Sequence, residues 1–242
     1  MINVIYSEFL KLKKSSYMLL ILASALTMPI IMNIAILIVQ DKNRTFDSYV
    51  YNIEQISCLL IYGIVFCIIS GYVFSREYSH KTASTLYSYP CSRIKIFIGK
   101  LFVIYATICL IYLIQCIAVY IGYYKLFGFI ERAALINDIK ANLCSLLCQM
   151  MIIPIPILLA IFKKNIIIPV AYGIVQLCVS AFLGDFTWKY KEYFPMLSPY
   201  IIFKSFYVND EININHIIVS AFICFVVFIS LAVYEHDKTD II

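Results

Sequence analysis

Nothing constrains the fold of this chain more than six stretches that contain no Asp, Glu, Lys, Arg or His: Tyr17 to Val39, Ile56 to Phe74, Leu101 to Tyr124, Ala141 to Phe162, Asn165 to Gly184 and Ile217 to Tyr234. A helix needs about 20 residues to cross a hydrocarbon core of about 30 Å, and each stretch reaches or approaches that length. Inside lipid every backbone amide must be bonded within the spanning structure, which leaves a helix or a closed barrel. Barrel strands alternate apolar and polar positions; Leu19 to Leu22 and Ile166 to Ile168 do not. The sequence therefore predicts an all-α polytopic membrane protein with six transmembrane helices. At 63% apolar and 14% charged over 242 residues, it leaves no room for a separate soluble domain of ordinary composition.

The first stretch has a basic flank at Lys11, Lys13 and Lys14 and a small-x-small triplet, Ala23-Ser24-Ala25, as a cleaved secretory signal would. Too few apolar residues precede that triplet, and the run continues through Ile30, Ile31 and Ile34 to Val39, so it reads as an anchor. Orientation follows from the basic residues, which stay in the cytoplasm when they lie in short loops. With the N-terminus inside, the inner segments carry eleven Lys and Arg against five acidic residues, and the outer loops eight against nine. Both termini are expected to be cytoplasmic. The excess of basic residues then reports topology and anionic headgroups, with no basic-aromatic pattern that would suggest nucleic acid.

Several chemistries are excluded by what is missing. Eight of the nine cysteines lie in the apolar runs, where cysteine behaves as a small hydrophobe. Cys144 and Cys148 have helical spacing but no nearby His or carboxylate to complete a metal site. No nucleophile, base or ligand set for an intramembrane enzyme is visible. The one Gly-Lys pair, Gly99-Lys100, has Ile94 at the first P-loop position and Leu101 after it, so no nucleotide site is expected in this chain. If ATP drives the protein, another polypeptide binds ATP and magnesium. The runs also lack the ionisable side chain that a proton-coupled carrier places at membrane depth.

The informative face is the inner one. Ile2, Ile5, Tyr6, Phe9 and Leu12 share one helical face, with Asn3, Ser7, Glu8, Lys11 and Lys14 opposite. Residues 1–16 are read as an amphipathic interfacial helix whose Glu8, Phe9 and Lys11 connect to a cytoplasmic partner. The longest inner loop, residues 75–100, has Glu77 and Lys81 at helical i,i+4 spacing in the favourable order. Pro90 then stops that helix, and Ser92 is placed to cap the next one. This describes a rigid knuckle of helix, proline turn and helix below the membrane.

Glu77-Tyr78, Lys81-Thr82, Leu86, Pro90, Ser92-Arg93 and Gly99-Lys100, following the second of six spans and a basic amphipathic N-terminus, resemble the permease subunits of bacterial ABC exporters. The small six-span permeases of bacitracin-resistance, lantibiotic-immunity and peptide-export systems are the nearest in pattern. That resemblance implies that the loop is a coupling helix, with Glu77, Tyr78, Lys81, Thr82, Leu86, Pro90 and Arg93 docking on a separate ATPase subunit. It also implies a second permease as partner, and short helices dipping into the outer leaflet between the last two spans. The outer loop 185–216 carries a suitable stretch from Phe194 to Phe203, too short and proline-broken to span yet too apolar for open water. Pro154 and Pro156 would break the fourth span, and with Asn33, Gln149 and Gln176 they are candidates for a gate or path. Two alternatives stand beside the exporter: a membrane immunity factor or sensor that transports nothing, and an ion-coupled carrier.

Overall fold

The computed structural model describes residues 2–13, 17–40, 44–82, 92–184, 188, 190–208 and 212–238. Every regular element among them is helical. Helix α1 (Ile2–Lys13) precedes α2 (Tyr17–Val39). Helices α3 (Phe46–Ile56) and α4 (Gly63–Ser79) are joined without a break by a π-helical stretch, Ser57–Tyr62. Then come α5 (Arg93–Phe127), α6 (Arg132–Ile152), α7 (Pro154–Lys163), α8 (Ile167–Leu183), α9 (Ser198–Tyr207) and α10 (Ile214–Lys238).

Five helical rods are long and apolar enough to cross a membrane: Tyr17–Val39, Phe46–Ser79, Arg93–Phe127, Arg132–Lys163 and Ile214–Lys238. The run expected as the fifth crossing forms the shorter α8, whose 17 residues reach about 25 Å. Three rods start well before the boundaries expected from hydropathy, and capping chemistry explains one of them. Thr45 sits in extended conformation and its hydroxyl accepts from the Ser48 amide, with Asp47 in the first turn. Both features favour a helix start, and neither Gly nor Pro follows until Gly63. The rod thus begins at Phe46, ten residues before Ile56. Likewise α5 starts at Arg93 rather than Leu101. Ser92 does precede its first turn, but as a backbone cap only, because its hydroxyl makes no capping bond.

These early starts correct the expectation that the helices carry no ionisable groups. Glu54 and Asp138, assigned to outer loops, lie inside the long rods and are buried, as is Lys100. The argument against an ion-coupled carrier that rested on their absence falls with it.

The core is built from several interfaces. Tyr62, Phe66, Phe74, Phe97, Ile104 and Ile157 belong to one large buried cluster. Helices α4 and α8 come close where Gly63 faces Gly173, and a Cβ on Gly173 would stand 2.9 Å from the Gly63 carbonyl oxygen. Between α6 and α7 the chain turns at Ile153 before Pro154. Proline has no amide to give the carbonyl four residues back, and the Tyr105 hydroxyl donates to that carbonyl, Met150 O, at 3.1 Å. Helix α9, with Pro199 in its first turn, has Tyr200, Ile201, Ile202 and Phe203 buried against neighbouring helices.

Candidate functional site

The N-terminal helix, the end of α4, the start of α5 and the end of α10 meet at one end of the bundle. Gly99 makes this possible, since a side chain there would put its Cβ 3.0 Å from Val4 Cγ1. Without one, α1 lies directly on α5. Glu77, on the last turns of α4, is buried, and its carboxylate receives Lys100 Nζ at 2.5 Å and Lys11 Nζ at 3.3 Å. Lys11 also pairs with Glu8 one turn earlier on α1. The ammonium of Lys100 lies 5.4 Å from the centroid of the Phe74 ring, an arrangement that favours a cation. Buried His236 of α10 packs edge-on to Phe97 and Phe74 at 5.4 and 6.2 Å, and Arg93 donates to the Asp237 carbonyl. The result is an ion-paired joint that fastens α1 to two membrane rods, with the last turns of α10 packed beside it.

Two sequence expectations are corrected here. Glu77 does not pair with Lys81, because the helix ends before Lys81 can take a helical position. Lys81 adopts the left-handed conformation with φ of 55°. The Thr82 amide bonds to Glu77 O at 2.9 Å and the Lys81 amide to Tyr78 O at 3.1 Å, which is a Schellman stop. Free of Lys81, Glu77 turns inward to Lys100. Glu8 is the second correction: expected on the headgroup side, it is buried at the joint, whereas Tyr6, Ser7, Phe9 and Leu10 of α1 are exposed.

The remaining expected coupling residues scatter. Lys81 and Thr82 are exposed at the helix end, and Tyr78 is half-buried, with Lys164 5.3 Å from its ring centroid. Leu86 and Pro90 lie outside the described residues. The candidate gate residues engage different neighbours. Asn33 accepts from Tyr49 at 2.6 Å beside Gly122, Gln176 packs on Gly63, and Gln149 is buried just before the turn at Pro154 and Pro156.

A second polar cluster went unforeseen. Glu54 of α3, Asp138 and Asn142 of α6, Tyr120 of α5 and Tyr207 of α9 converge. Asn142 Nδ2 donates to Glu54 Oε1 at 2.7 Å and to Asp138 Oδ1 at 3.1 Å. The hydroxyls of Tyr120 and Tyr207 donate to Asp138 at 2.5 and 2.7 Å. The i,i+4 spacing of Asp138 and Asn142 was a signal in the sequence, readable once the helix is allowed to extend back to Arg132.

These features define a class, the multi-pass helical membrane protein. Within it, residues 4–180 match the family described as ABC-2 family transporter protein, and the chain belongs to that family. It is an ABC-2 membrane permease, a kind of chain that typically has no ATPase site of its own and generally pairs with an ATPase subunit. No curated protein matches the sequence.

Proposed function

We propose that this chain is the permease of an ATP-driven exporter whose motor is a separate ATPase subunit bound at the ion-paired joint. The observation that carries the reading is the three-way contact of Glu77 with Lys11 and Lys100, which ties α1 and the two rods flanking residues 80–92 into one body. A push on that loop from below then moves two rods together. Lys81 and Thr82, exposed beside the joint, meet the ATPase directly with Leu86, Pro90 and Arg93. Glu77 and Glu8 act one step behind them, holding the docking surface in place.

In this reading α8 is the sixth crossing, short enough to require local thinning of the bilayer, and both termini face the cytoplasm, where the ATPase supplies ATP and magnesium. Two permeases pair, since one bundle encloses little volume for a large cargo. The cargo is an amphipathic peptide or lipid-like molecule, and the biological setting antimicrobial-peptide resistance, immunity or peptide export. The proline turn at Pro154 and Pro156 takes part in gating.

Affinity purification from native membranes in mild detergent tests the reading. A P-loop ATPase should co-purify and be lost when Lys81 and Thr82 are both replaced by Glu, with the permease still inserted. An isolated chain, or an ATPase retained by the double variant, overturns it.

A further inference from the structure

Among the described residues, Glu54 and Asp138 are the buried carboxylates that no Lys, Arg or His pairs with, whereas Glu8 and Glu77 both meet lysine. Glu54 and Asp138 are 1% and 0% exposed. One amide nitrogen, Asn142 Nδ2, bonds to both carboxylates, so the two lie close together. The groups touching them, Asn142, Tyr120 and Tyr207, are all neutral, and Glu54 Oε2 is buried with no hydrogen-bond partner. Two buried carboxylates bridged by one neutral amide are costly unless a positive charge completes the site.

The surroundings indicate which cation. A groove of about 450 Å³ lies along α5 and α6, lined by Leu113, Ile117, Leu143 and Leu146 among other apolar residues. Of the three lining residues with a hydroxyl or amide tip, Tyr120 and Asn142 bond to the carboxylates, while Tyr112 pairs with Ser145. Leu113, Ile117 and Leu143 are more than half exposed, so the groove opens sideways, toward lipid in a membrane-spanning bundle. A bare metal ion would have to shed water against an apolar wall, and three of the four carboxylate oxygens already accept from Asn142, Tyr120 or Tyr207, which leaves Glu54 Oε2 uncommitted. A proton alone has no use for the groove.

We propose that Glu54 and Asp138 form the head site for an amphipathic organic cation. Its ammonium or guanidinium group lies against Glu54 Oε2 and Asp138, and its apolar body fills the groove after entering from the bilayer. This rests on the exporter reading for its meaning, because it names the substrate class, but not for its test.

The purified permease in zwitterionic nanodiscs, without any ATPase, is titrated with radiolabelled dodecylguanidinium, and the binding to empty nanodiscs is subtracted. Saturable binding is expected, with dodecanol unable to compete. Glu54→Gln, which keeps side-chain volume, should weaken binding at least tenfold. Leu113→Trp should do the same by filling the groove while both carboxylates remain, and it decides the matter if the Gln variant does not elute as a single species. Binding that is absent, unaffected by a well-folded variant, or equally displaced by dodecanol overturns the proposal. So does a Glu54 variant whose only change is altered self-association or proton uptake. Cation binding by a permease that captures no ATPase would leave this site standing and sink the exporter reading; the reverse result would do the opposite.

Discussion

Replacing Lys100 by Met is expected to be far more damaging than the same change at Lys11, although both lysines contact the same carboxylate. The Lys100 side chain is 1% exposed and lies 2.5 Å from Glu77, while that of Lys11 is 30% exposed and 3.3 Å away. Methionine keeps the length of the stem and removes only the ammonium group. Taking one partner from a buried pair costs about 3–5 kcal/mol, chiefly because the remaining charge is stranded. Lys11 still reaches Glu77, which moves the expected cost of Lys100→Met to the lower end, about 3 kcal/mol. The half-wet Lys11 pair is screened by solvent, and its loss should cost about 0.5–1 kcal/mol. Adding Glu77→Gln to Lys100→Met removes the stranded charge and should recover about 1–2 kcal/mol, on the same reasoning. Unfolding in mixed micelles of rising SDS fraction, followed by helical circular dichroism, measures all three. Equal costs for the two lysines, or a double variant worse than Lys100→Met alone, would refute the reasoning.

Other perturbations test separate joints of the structure. Gly99→Leu should lift α1 from α5 at a cost of about 1–3 kcal/mol through overpacking. Faster thiol labelling of a cysteine placed at Val4 would report it, and unchanged labelling would mean that the close approach is unimportant. Tyr105→Phe strands the Met150 carbonyl beside Pro154 and should cost about 1–3 kcal/mol. The cost should vanish when Pro154→Ala restores the helical amide, and a cost that persists there counts against this pairing. Lys81→Gly relieves a left-handed lysine and should stabilise the end of α4 by about 0.5–1 kcal/mol. Hydrogen exchange of the Thr82 amide should slow accordingly.

The membrane character of the chain is legible in composition alone, because runs free of charge over such lengths have no place in water. What hydropathy misreads is where the rods begin. A window that stops at the first charged residue cuts the second rod at Ile56 and the fourth at Ala141, yet backbone hydrogen bonding continues past Glu54 and Asp138; on the second rod Thr45 supplies the cap, and on both no Gly or Pro breaks the helix in between. Losing those turns also loses the carboxylate cluster. At the inner joint the members Glu8, Lys11, Glu77 and Lys100 are all visible as inner-face charges, but their pairing is not. Local spacing favours Glu77 with Lys81, and the left-handed turn that prevents this involves a lysine, whereas sequence rules look for glycine.

Gly63 and Gly173 let two helices touch backbone to backbone at a point near the middle of the rod Phe46–Ser79. From Gly63 the rod extends roughly 24 Å to Ser79 and roughly 25 Å to Phe46, counting helical rise per residue. A beam resting on such a point tips like a seesaw with arms of nearly equal length. Glu54 sits roughly 13 Å along the far arm, so a shove at the charged end would arrive beside the carboxylates at about half its size and in the opposite direction. Paired spin labels at Ser79 and Asn52, each referenced to α8, should then move in opposite senses when nucleotide is added to the assembled complex.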